Sequence, residues 1–413
     1  MTPSAPPADR RPRVLVLSRN YPSDVLPLLG IWVGRLVRQA AATCDVRVVS
    51  PVPYCPPLPF LPENFRRFRR IPGRVQDGAV VVHHPRFMAS LGARYPGLEA
   101  RGYYAAAAPL VRRLFRAAPF DLIHAHFTYP DGWAAARLGR RLGVPVIITE
   151  QAMWGPWMDE DSAMRRGALW AAGACRFHVA ISNALRDSIV RLTGESEKLR
   201  VIPDGVDGAS FTLPEPGRAR ARDQVLFVGN IRHVKGFDLL LRAMRVLADR
   251  GRPLRLVVVG ESYYESYRAE YERVQRLAAE LKVTDRVTFV GGSSDAEVVR
   301  YMQESALLVL PSRRESLGMV VAEALACGTP VVATRCGGPE DIVAPGTGEL
   351  VPVEDPEALA RGIEDVLGRR ESYDPQRLRR HALEHFGLEA VHRRYEALYL
   401  EAMASAPPVT ITG

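Results

Sequence analysis

Short apolar runs alternate with amphipathic helical segments along the chain, and this alternation constrains the fold more than any other feature of the sequence. The first runs are RVLVLS at Arg13–Ser18 and DVRVVS at Asp45–Ser50, and between them lie a loop ending at Gly30 and a helical segment at Ile31–Ala42. A strand, a helix and a second strand in this order are typical of a parallel α/β sheet. The alternation restarts at Gln224–Val228, so we predict two Rossmann-like, doubly wound α/β domains in tandem.

The length of the chain also requires more than one domain. Single hydrophobic cores rarely serve more than about 250–300 residues, and this chain has 413. The segment Leu213–Asp223 (LPEPGRARARD) is rich in Pro, Gly and Arg and has no apolar period, so we place the domain boundary there. We predict a disordered leader at residues 1–12, an N-terminal domain at 13–212, a C-terminal domain at 213–387, a closing helix at 388–404 and a disordered tail at 405–413.

Charge and cysteine content limit the classes of function. The formal net charge of +9 favours an anionic ligand or surface. The five cysteines form no CxxC pair and are odd in number, which indicates reduced thiols in a cytoplasm and argues against a zinc site. No apolar run reaches the ~20 residues that span a bilayer. The basic residues are scattered without a DNA- or RNA-reading motif, so we expect no nucleic-acid partner.

The segment Pro311–Pro339 carries the strongest functional signal. Its sequence, PSRRESLGMVVAEALACGTPVVATRCGGP, predicts a loop, a helix from Gly318 to Gly328, a short strand and a turn. The N–H groups and the positive dipole end of a helix that begins at a glycine favour a phosphate. Glu315 precedes this helix, and Glu323 lies about one and a half turns inside it. We interpret the segment as a site for a nucleotide-diphosphate sugar, with Glu315 toward the sugar and Glu323 toward the ribose.

A second loop of the same domain has similar chemistry. Gly229 lets the chain turn close to a ligand, Arg232 and Lys235 follow within six residues, and Gly236 begins the next helix. Two cations beside a helix N-terminus suit a diphosphate. Two solvated cations on a surface loop are the alternative for this loop alone. The loop Glu315–Gly318 follows another strand of the same predicted sheet, and this pairing favours the phosphate interpretation.

Hydrolysis and metal binding fit the same sequence less well. Glu315 and Glu323 could act as the acid and the nucleophile of a hydrolase, but the helix setting of Glu323 is better suited to a ribose contact. His381 and His385 have i, i+4 spacing without an evident third ligand. The D-x-D of Asp159 and Asp161 suits the first turn of the following helix. We therefore expect no metal and no cofactor.

The candidates in the first domain follow predicted strands. His124 and His126 end one strand and Gln151 follows another, and ligands of open α/β sheets gather at such carboxyl ends. A hydrogen-bonded structural role is the alternative for the two histidines. Trp154 is a candidate for the acceptor side, with a place in the core as the alternative. It belongs to an aromatic and Met cluster with Met153, Trp157 and Met158.

Two further segments have open interpretations. Gly30 either lets the backbone approach a ligand or meets the needs of its turn. Pro51–Pro62 (PVPYCPPLPFLP) is too rich in proline for regular structure. After it, Phe65–Arg70 interleaves two phenylalanines with four arginines, which suits an anionic membrane surface. A solvated basic turn pinned by two core phenylalanines is the alternative.

Taken together, these motifs resemble those of the retaining glycosyltransferases of family 4, whose GT-B fold has two Rossmann-like domains facing a central cleft. The strongest match is E-x7-E, from Glu315 to Glu323, followed by GNIRHVKGFDLLLRA and VIPDGVD. The first domain matches more loosely at YPSDVLPLLGIWVGRLVRQ, DLIHAHFTYPDGWAAA and VPVIITEQ. FGLEAVHRRYEALYLEA is similar to the last helix of the family, which crosses back onto the first domain.

The resemblance implies a reaction and roles for individual residues. It implies metal-independent transfer, with retained anomeric configuration, from a nucleotide-diphosphate sugar to a polysaccharide, glycan or lipid-linked acceptor, with UDP as the expected carrier. Glu315 would contact sugar hydroxyls, and Arg232 and Lys235 would neutralise the leaving diphosphate. The implied substrate-binding positions are Gly30 (across the cleft), Gln151, Gly229, Asn230, Gly318, Met319, Val320 and Glu323, the last at the ribose.

Two positions depart from the resemblance. Asn230 stands where many relatives have Arg, and Gln151 stands where many have a His that faces the donor sugar. Gln donates a hydrogen bond but does not titrate. Because fold does not fix function, an isomerase or phosphorylase of the same architecture and a non-catalytic sugar-binding relative remain alternatives.

Overall fold

The computed structural model describes residues 10–58, 61, 63–88, 96–155, 158, 162–217, 220–260 and 268–404. Trp157, Asp159, Asp161, most of the predicted leader and the tail 405–413 lie outside the described residues. The chain forms two compact units. The first comprises the chain up to Ile181, Leu185–Gly205 and the chain from Val391, and the second comprises Ser182–Ala184 and Val206–Ala390. The predicted boundary at Leu213–Asp223 lies inside the second unit, and the domain limits stay a prediction.

The first unit contains ten of the described strands. They are β1 (Arg13–Leu17), β2 (Asp45–Val49), β3 (Val52–Pro53), β4 (Arg74–Asp77), β5 (Val80–His83), β6 (Arg86–Phe87), β7 (Leu122–His126), β8 (Val146–Glu150), β9 (Phe177–Ala180) and β10 (Leu199–Val201). The helices that precede its last strand are α1 (Ile31–Ala40), α2 (Glu63–Arg66), α3 (Pro96–Ala117), α4 (Trp133–Leu142), α5 (Ala163–Ala174) and α6 (Asn183–Thr193).

Eight of these strands form one sheet in the order β10-β9-β8-β7-β1-β2-β5-β4, and β4 is its antiparallel edge. Alternation along β1 sends Val14 and Val16 to one core and Leu15 and Leu17 to the other. Helix α1 and the chain from Val391 cover the first face, while α3, α4 and α5 cover the second. Burial on both faces explains why the strands are continuous apolar runs.

The second unit contains six described strands and most of the remaining helices. The strands are β11 (Gln224–Val228), β12 (Arg255–Val259), β13 (Val287–Gly291), β14 (Leu307–Leu310), β15 (Val331–Thr334) and β16 (Gly348–Val351). The helices are α7 (Phe237–Asp249), α8 (Arg268–Glu280), α9 (Asp295–Glu304), α10 (Met319–Ala326), α11 (Pro339–Ile342), α12 (Pro356–Gly368) and α13 (Pro375–Phe386); α14 (Leu388–Ala404) closes the described chain.

The sheet of the second unit is entirely parallel and has the order β13-β12-β11-β14-β15-β16. This is the doubly wound order, in which the chain first winds outward from β11 and then reverses to place β14 on the other side. The loops that follow β11 and β14 therefore meet at the carboxyl edge of the sheet. The predicted parallel α/β architecture is confirmed in both units.

One local prediction was wrong, at two residues. Pro51–Pro62 was predicted to be irregular, but Val52 and Pro53 form β3, which pairs with β6. The pairing is possible because Val52 and Tyr54 donate their N–H groups to the carbonyls of Pro85 and Phe87, while Pro53, which has no N–H, lies between them. Phe65 and Phe68 are half-buried and their ring centroids lie 6.2 Å apart, so a basic turn pinned by these two rings stays an alternative to a membrane contact. Among the described residues, no helix has both the length and the apolar composition needed to cross a bilayer.

Candidate functional site

The strongest candidate cluster lies where the loops after β11 and β14 meet. Lys235 Nζ lies 2.7 Å from Glu315 Oε1, and the Ser312 hydroxyl donates to the same oxygen at 2.6 Å. Glu315 is 8% exposed and the Lys235 side chain is 27% exposed. None of the contacts recorded between described residues uses Glu315 Oε2, so this oxygen can accept from a further donor. The structure thus brings together two of the three predicted catalytic residues.

Arg313, which the sequence analysis did not identify, ties the two loops together. Its guanidinium makes two bonds to the Asp238 carboxylate, at 2.8 and 3.0 Å, and donates to His233 O at 2.7 Å. Burial would raise the pKa of Asp238, but the forked pair with Arg313 outweighs it and lowers that pKa below its usual value. The backbone N–H of Arg313 also donates to Val234 O at 2.8 Å. The loop that carries Lys235 is therefore fixed on both sides of the lysine.

Glycines bring the two loops into close contact. Gly236 begins α7 with φ 62°, and a Cβ at this position would lie 2.0 Å from Pro311 O. Gly338 crosses the other loop so tightly that a Cβ would lie 2.2 Å from Leu317 Cα. Gly318 begins α10 with φ 85°. These positions require glycine because a side chain would collide or demand a left-handed backbone.

The predicted phosphate-binding amides lie at the N-terminus of α10. Val321 donates its N–H to Gly318 O at 2.9 Å, so the N–H groups of Met319 and Val320 precede the first hydrogen bond of the helix. Glu323 is half-buried, one turn further along α10. The amides and the Lys235–Glu315 pair belong to loops at one sheet edge, which suits an anion flanked by polar groups.

The remaining predicted residues of this unit lie on the loop after β11. Gly229 and Asn230 follow the strand directly, and the Asn230 side chain is exposed. Arg232 is also exposed, at the start of the single turn that holds Lys235. Glu315 accepts from Lys235 and Ser312, and Arg232 is not among its donors. A role of Arg232 at the diphosphate stays a prediction.

The first unit has a separate polar cluster, built around Glu150 at the end of β8. Its carboxylate is 3% exposed and accepts four N–H groups at 3.0 Å, two on each oxygen. The donors are the backbone N–H groups of Thr128, Gln151 and Ala152 and the indole of Trp154. This arrangement fixes the turn after β8. The sequence analysis gave Glu150 no role, because the pattern does not show that the turn after β8 folds back onto its carboxylate or that Thr128 reaches it.

Trp154 does not form an open wall on the acceptor side. Its side chain is buried, with 5% exposed, because the indole N–H is needed by the Glu150 carboxylate. The structure therefore favours the core alternative for this residue. His124 also has the structural role: its ring bonds to the hydroxyls of Tyr399 and Thr149, both at 2.8 Å.

His126 and Gln151 combine burial with unused hydrogen-bonding capacity. Both ring nitrogens of His126 and the Oε1 of Gln151 are buried without a hydrogen-bond partner among the described residues. Gln151 Nε2 donates to Asp204 Oδ1 at 2.8 Å. Burial lowers the pKa of His126 to about 4, with Gln151 acting in the opposite direction. Burial raises the pKa of Asp204 to about 6, opposed by the bond from Gln151. The two predicted residues are thus neutral groups inside the unit.

The loop after β1 is held by a buried acid that the sequence analysis missed. Asp131 Oδ1 accepts the backbone N–H of Arg19 at 2.5 Å and the hydroxyl of Tyr103 at 2.7 Å. Burial raises the pKa of Asp131 to about 7, against the effects of Arg19 and Tyr103. Gly30 ends this loop with φ 67°, and a Cβ there would lie 2.2 Å from Asn20 O. Packing on Asn20 is therefore a sufficient reason for the glycine.

Of the two weak metal patterns, Asp159 and Asp161 lie outside the described residues, and only His381 and His385 lie within them. No group of three or more His, Cys, Asp or Glu side chains in this part of the chain is arranged to hold a metal ion. His381 bonds to Ile342 O at 2.9 Å, and its ring lies 5.0 Å from that of His385.

Two family descriptions match almost the whole chain. The family described as Glycosyl transferases group 1 matches residues 213–385, and the family described as Glycosyltransferase Family 4 matches residues 8–209. Similar curated proteins include the D-inositol 3-phosphate glycosyltransferases of Streptomyces bingchenggensis and Catenulispora acidiphila. The first is 32% identical over 69% of this chain and 67% of its own length, and the second is 31% identical over 69% and 73%. Another such relative, from Streptomyces avermitilis, is covered over 57% of its length.

Solved structures resemble nearly the complete chain. Sucrose-phosphate synthase from Thermosynechococcus elongatus has a TM-score of 0.77 and 23% identity, with 96% of this chain and 100% of that chain covered. Anabaena HepE in complex with UDP has a TM-score of 0.71 and 18% identity, with 94% and 100% covered. At these identities the likeness is one of fold.

Proposed function

Because the chain belongs to glycosyltransferase family 4 and has the GT-B fold, we propose that it transfers a sugar from a nucleotide-diphosphate sugar, with UDP as carrier, to an acceptor hydroxyl. The observation that carries the proposal is the Lys235–Glu315 pair at 2.7 Å, next to a helix that begins at Gly318. A cation and free helix amides at one sheet edge are the chemistry that a diphosphate requires.

In this proposal each group of the second unit has a part in the transfer. The amides of Met319 and Val320 bind the diphosphate, and Lys235 stabilises the charge that develops on it as the sugar leaves. Glu315 holds Lys235 through Oε1 and receives a sugar hydroxyl on Oε2. Glu323 accepts from the ribose. Positioning and charge stabilisation then supply the catalysis, without a protein nucleophile.

The identity of the nucleotide and the course of the reaction are part of the proposal. HepE of Anabaena has been solved with UDP and with UDP-glucose, which supports UDP as the carrier here. We propose retention of the anomeric configuration and independence from metal ions. Proton NMR of the first-formed product tests the configuration, and undiminished turnover with EDTA tests the second point.

The acceptor has two proposed classes. A polysaccharide, glycan or lipid-linked acceptor is the expectation from the motifs. The names of the relatives point to an inositol phosphate instead. A panel that contains inositol 3-phosphate, oligosaccharides and a lipid-linked sugar separates the two, because only the true acceptor produces UDP release above the hydrolytic background.

Titration of UDP against the purified protein tests the donor site. We expect saturable binding by wild type and at least tenfold weaker binding by Lys235→Ala, since a charge-assisted contact contributes roughly 1.5–3 kcal/mol. Lys282→Ala is the matched control: this lysine is exposed, and it precedes β13 at the amino edge of the same sheet. Equal affinity of the two variants would refute the assignment of Lys235.

Two residues favour a second candidate, a non-catalytic sugar-binding relative. Gln151 is held by Asp204 inside the first unit, and Asn230 offers no charge at the loop after β11. Saturable UDP binding together with no turnover across the donor and acceptor panels would support this candidate. Release of free sugar or of an epimer without any acceptor would support an isomerase or a phosphorylase instead.

A further inference from the structure

The net positive charge of the protein is carried mainly by three helices of the first unit. Helices α3, α4 and α5 contain nine arginines and a single acid, Glu99, which gives them a formal charge of +8. The whole chain has a net charge of +9. The remaining residues are therefore close to electrically balanced, and the excess belongs to this helix layer.

The layer covers one face of the sheet, and the opposite face differs sharply. Helices α3, α4 and α5 share the core that contains Leu15 and Leu17. The opposite face is covered by α1 and α14, which together contain four arginines and three glutamates. Charge segregation between two faces of one sheet creates a directed field, which attracts an extended anionic partner.

Most of the basic side chains in the layer have no acidic partner. The exposed arginines that form no ion pair with a described residue are Arg101, Arg112, Arg113, Arg116, Arg137, Arg140 and Arg141. Several lie near helix C-termini, where a cation complements the helix dipole. The dipole amounts to roughly half an elementary charge at each end. Arg112, Arg113 and Arg116, near the end of α3, carry more positive charge than the helix dipole can balance.

Aromatic rings and a surface cavity lie among these arginines. Arg137 stacks over Trp133 at 4.9 Å, Arg140 over Trp170 at 5.9 Å and Arg141 over Tyr104 at 5.4 Å. A cavity of about 400 Å³ is lined by Arg137, Arg140, Arg141 and Trp170. Its charge suits a phosphate group, and its volume leaves room for the headgroup that carries the phosphate.

Large apolar side chains are exposed at the amino end of the same layer. Leu98, in the first turn of α3, is 65% exposed, and Met88 is 72% exposed. Met88 lies against α3, since a Cβ on Gly102 would be 3.0 Å from Met88 O. A soluble polyanion offers nothing to such side chains, whereas a lipid surface provides both phosphates and an apolar boundary.

We propose that the face formed by α3, α4 and α5 docks on an anionic phospholipid bilayer, with a lipid phosphate in the cavity between Arg137, Arg140 and Arg141. The helices lie on the surface and do not enter the bilayer. The proposal is independent of the sugar transfer, because it involves none of the residues assigned to the donor.

This face replaces Phe65–Arg70 as the principal contact. Arg66 and Arg70 both pair with Glu63, at 2.8 and 3.4 Å, so one of the four positive charges of that segment is neutralised. The arginines at 137, 140 and 141 keep theirs. The shorter segment can add to binding but does not account for it.

Co-sedimentation of the full chain with vesicles tests the proposal. We expect binding to phosphatidylcholine vesicles that contain phosphatidylglycerol, weak binding to phosphatidylcholine alone, and loss of binding in high salt. Each arginine near an anionic surface is worth about 1 kcal/mol. The double variant Arg140→Ala/Arg141→Ala should therefore bind at least tenfold more weakly than wild type.

Two further variants make the result specific to this face. Arg393→Ala/Arg394→Ala changes an adjacent exposed pair on α14, on the opposite face, and should bind like wild type. Arg140→Lys/Arg141→Lys keeps the charges and should bind within a few-fold of wild type. UDP affinity, measured on each variant, should not change and reports that the fold is intact.

Three outcomes overturn the proposal. Equal losses in the two alanine double variants would show that net charge, and not this face, governs binding. Equal binding to neutral vesicles would eliminate the electrostatic contact. Binding to heparin without binding to phosphatidylglycerol vesicles would identify a soluble polyanion as the occupant.

Discussion

The carboxyl edges of the two sheets are built in opposite ways. In the second unit the edge is charged, with Lys235 against Glu315 and two helices that begin at glycines. In the first unit burial keeps His126 and His178 uncharged. Its two carboxylates, Glu150 and Asp204, accept N–H groups instead of pairing with a cation. At a charged, half-open edge, Lys235 can exchange the Glu315 carboxylate for an anionic ligand. We call the edge of the first unit the neutral edge, because its residues named here form no ion pair with a described residue. A closed edge of this kind is suited to keeping its shape.

The largest effect should come from the charged edge. Glu315→Gln keeps the size of the side chain but removes the charge that holds Lys235, so we expect turnover to fall about 100-fold or more. UDP affinity should change far less, because the lysine is retained. Steady-state kinetics measures both quantities. Glu280→Gln, an exposed position on α8, is the control and should stay within about twofold.

A substitution at the neutral edge should lower the stability of the fold. Glu150→Gln places an NH2 group against N–H donors that now face a carboxylate oxygen, so we expect the free energy of unfolding to fall by about 3 kcal/mol. Urea denaturation measures the change. Glu195→Gln is the exposed control in the same unit. Equal stability of the two variants would show that the four N–H bonds do not hold the turn after β8.

These two edges also differ in how far the sequence predicts them. The sheet order places the loops after β11 and β14 side by side, so the meeting of Lys235 and Glu315 follows from alternation and glycine positions. The partners of Glu150 do not follow, since Thr128 reaches it from the segment after β7 and the Trp154 indole reaches it only because the turn after β8 folds back. The bond between His124 and Tyr399 joins residues 275 positions apart. Apolar periodicity specifies which elements pack, but buried hydrogen bonds depend on side-chain positions that periodicity does not contain.

A pH effect on stability should come from the buried imidazoles of the first unit. Burial lowers the pKa of His178 to about 4, while in the unfolded chain an imidazole has its ordinary pKa of about 6.5. Between these values the unfolded state binds the proton and the folded state does not. The contribution of His178 to stability is therefore complete above pH 6.5 and is lost as the pH falls toward 4.

The variant His178→Gln tests this linkage. Gln can still meet the Thr128 hydroxyl, to which the His178 ring now bonds at 2.9 Å. We expect its stability to fall less between pH 6.5 and 4 than that of wild type, with a difference of up to about 3 kcal/mol. Urea denaturation across the pH range measures it. His385→Gln, at an exposed site on α13, is the control, and a wild-type slope in His178→Gln would contradict the prediction.

A smaller effect should separate backbone strain from close contact at the charged edge. Gly236 and Gly251 both have left-handed backbones, with φ 62° and 74°. A Cβ at Gly251 meets open space, whereas one at Gly236 would lie 2.0 Å from Pro311 O. Gly251→Ala should cost about 1 kcal/mol for strain alone, and Gly236→Ala about 2 kcal/mol more. Thermal denaturation compares the two, and equal losses would mean that the loops after β11 and β14 separate freely.

The smallest effect concerns Asp204 and is expected to have the opposite sign. Burial raises the pKa of Asp204 to about 6, so the folded state holds its proton more tightly than the unfolded state does. Stability therefore falls as the pH rises from about 4 to 6, and at pH 7.5 that loss is complete. Asp204→Asn removes the titration while its carbonyl still accepts the bond from Gln151 Nε2.

We expect Asp204→Asn to be more stable than wild type at pH 7.5, by about 1 kcal/mol after allowance for partial exposure, and equal to it near pH 4. Gln151→Ala is the companion variant. It removes the donor that now favours the ionised carboxylate, so it should steepen the fall in stability between pH 4 and 6. If Asp204→Asn were instead destabilised at pH 7.5, the ionised carboxylate would be a net stabilising group. The edge of the first unit would then also be stabilised by a charged group, and the contrast between the two units would be one of degree.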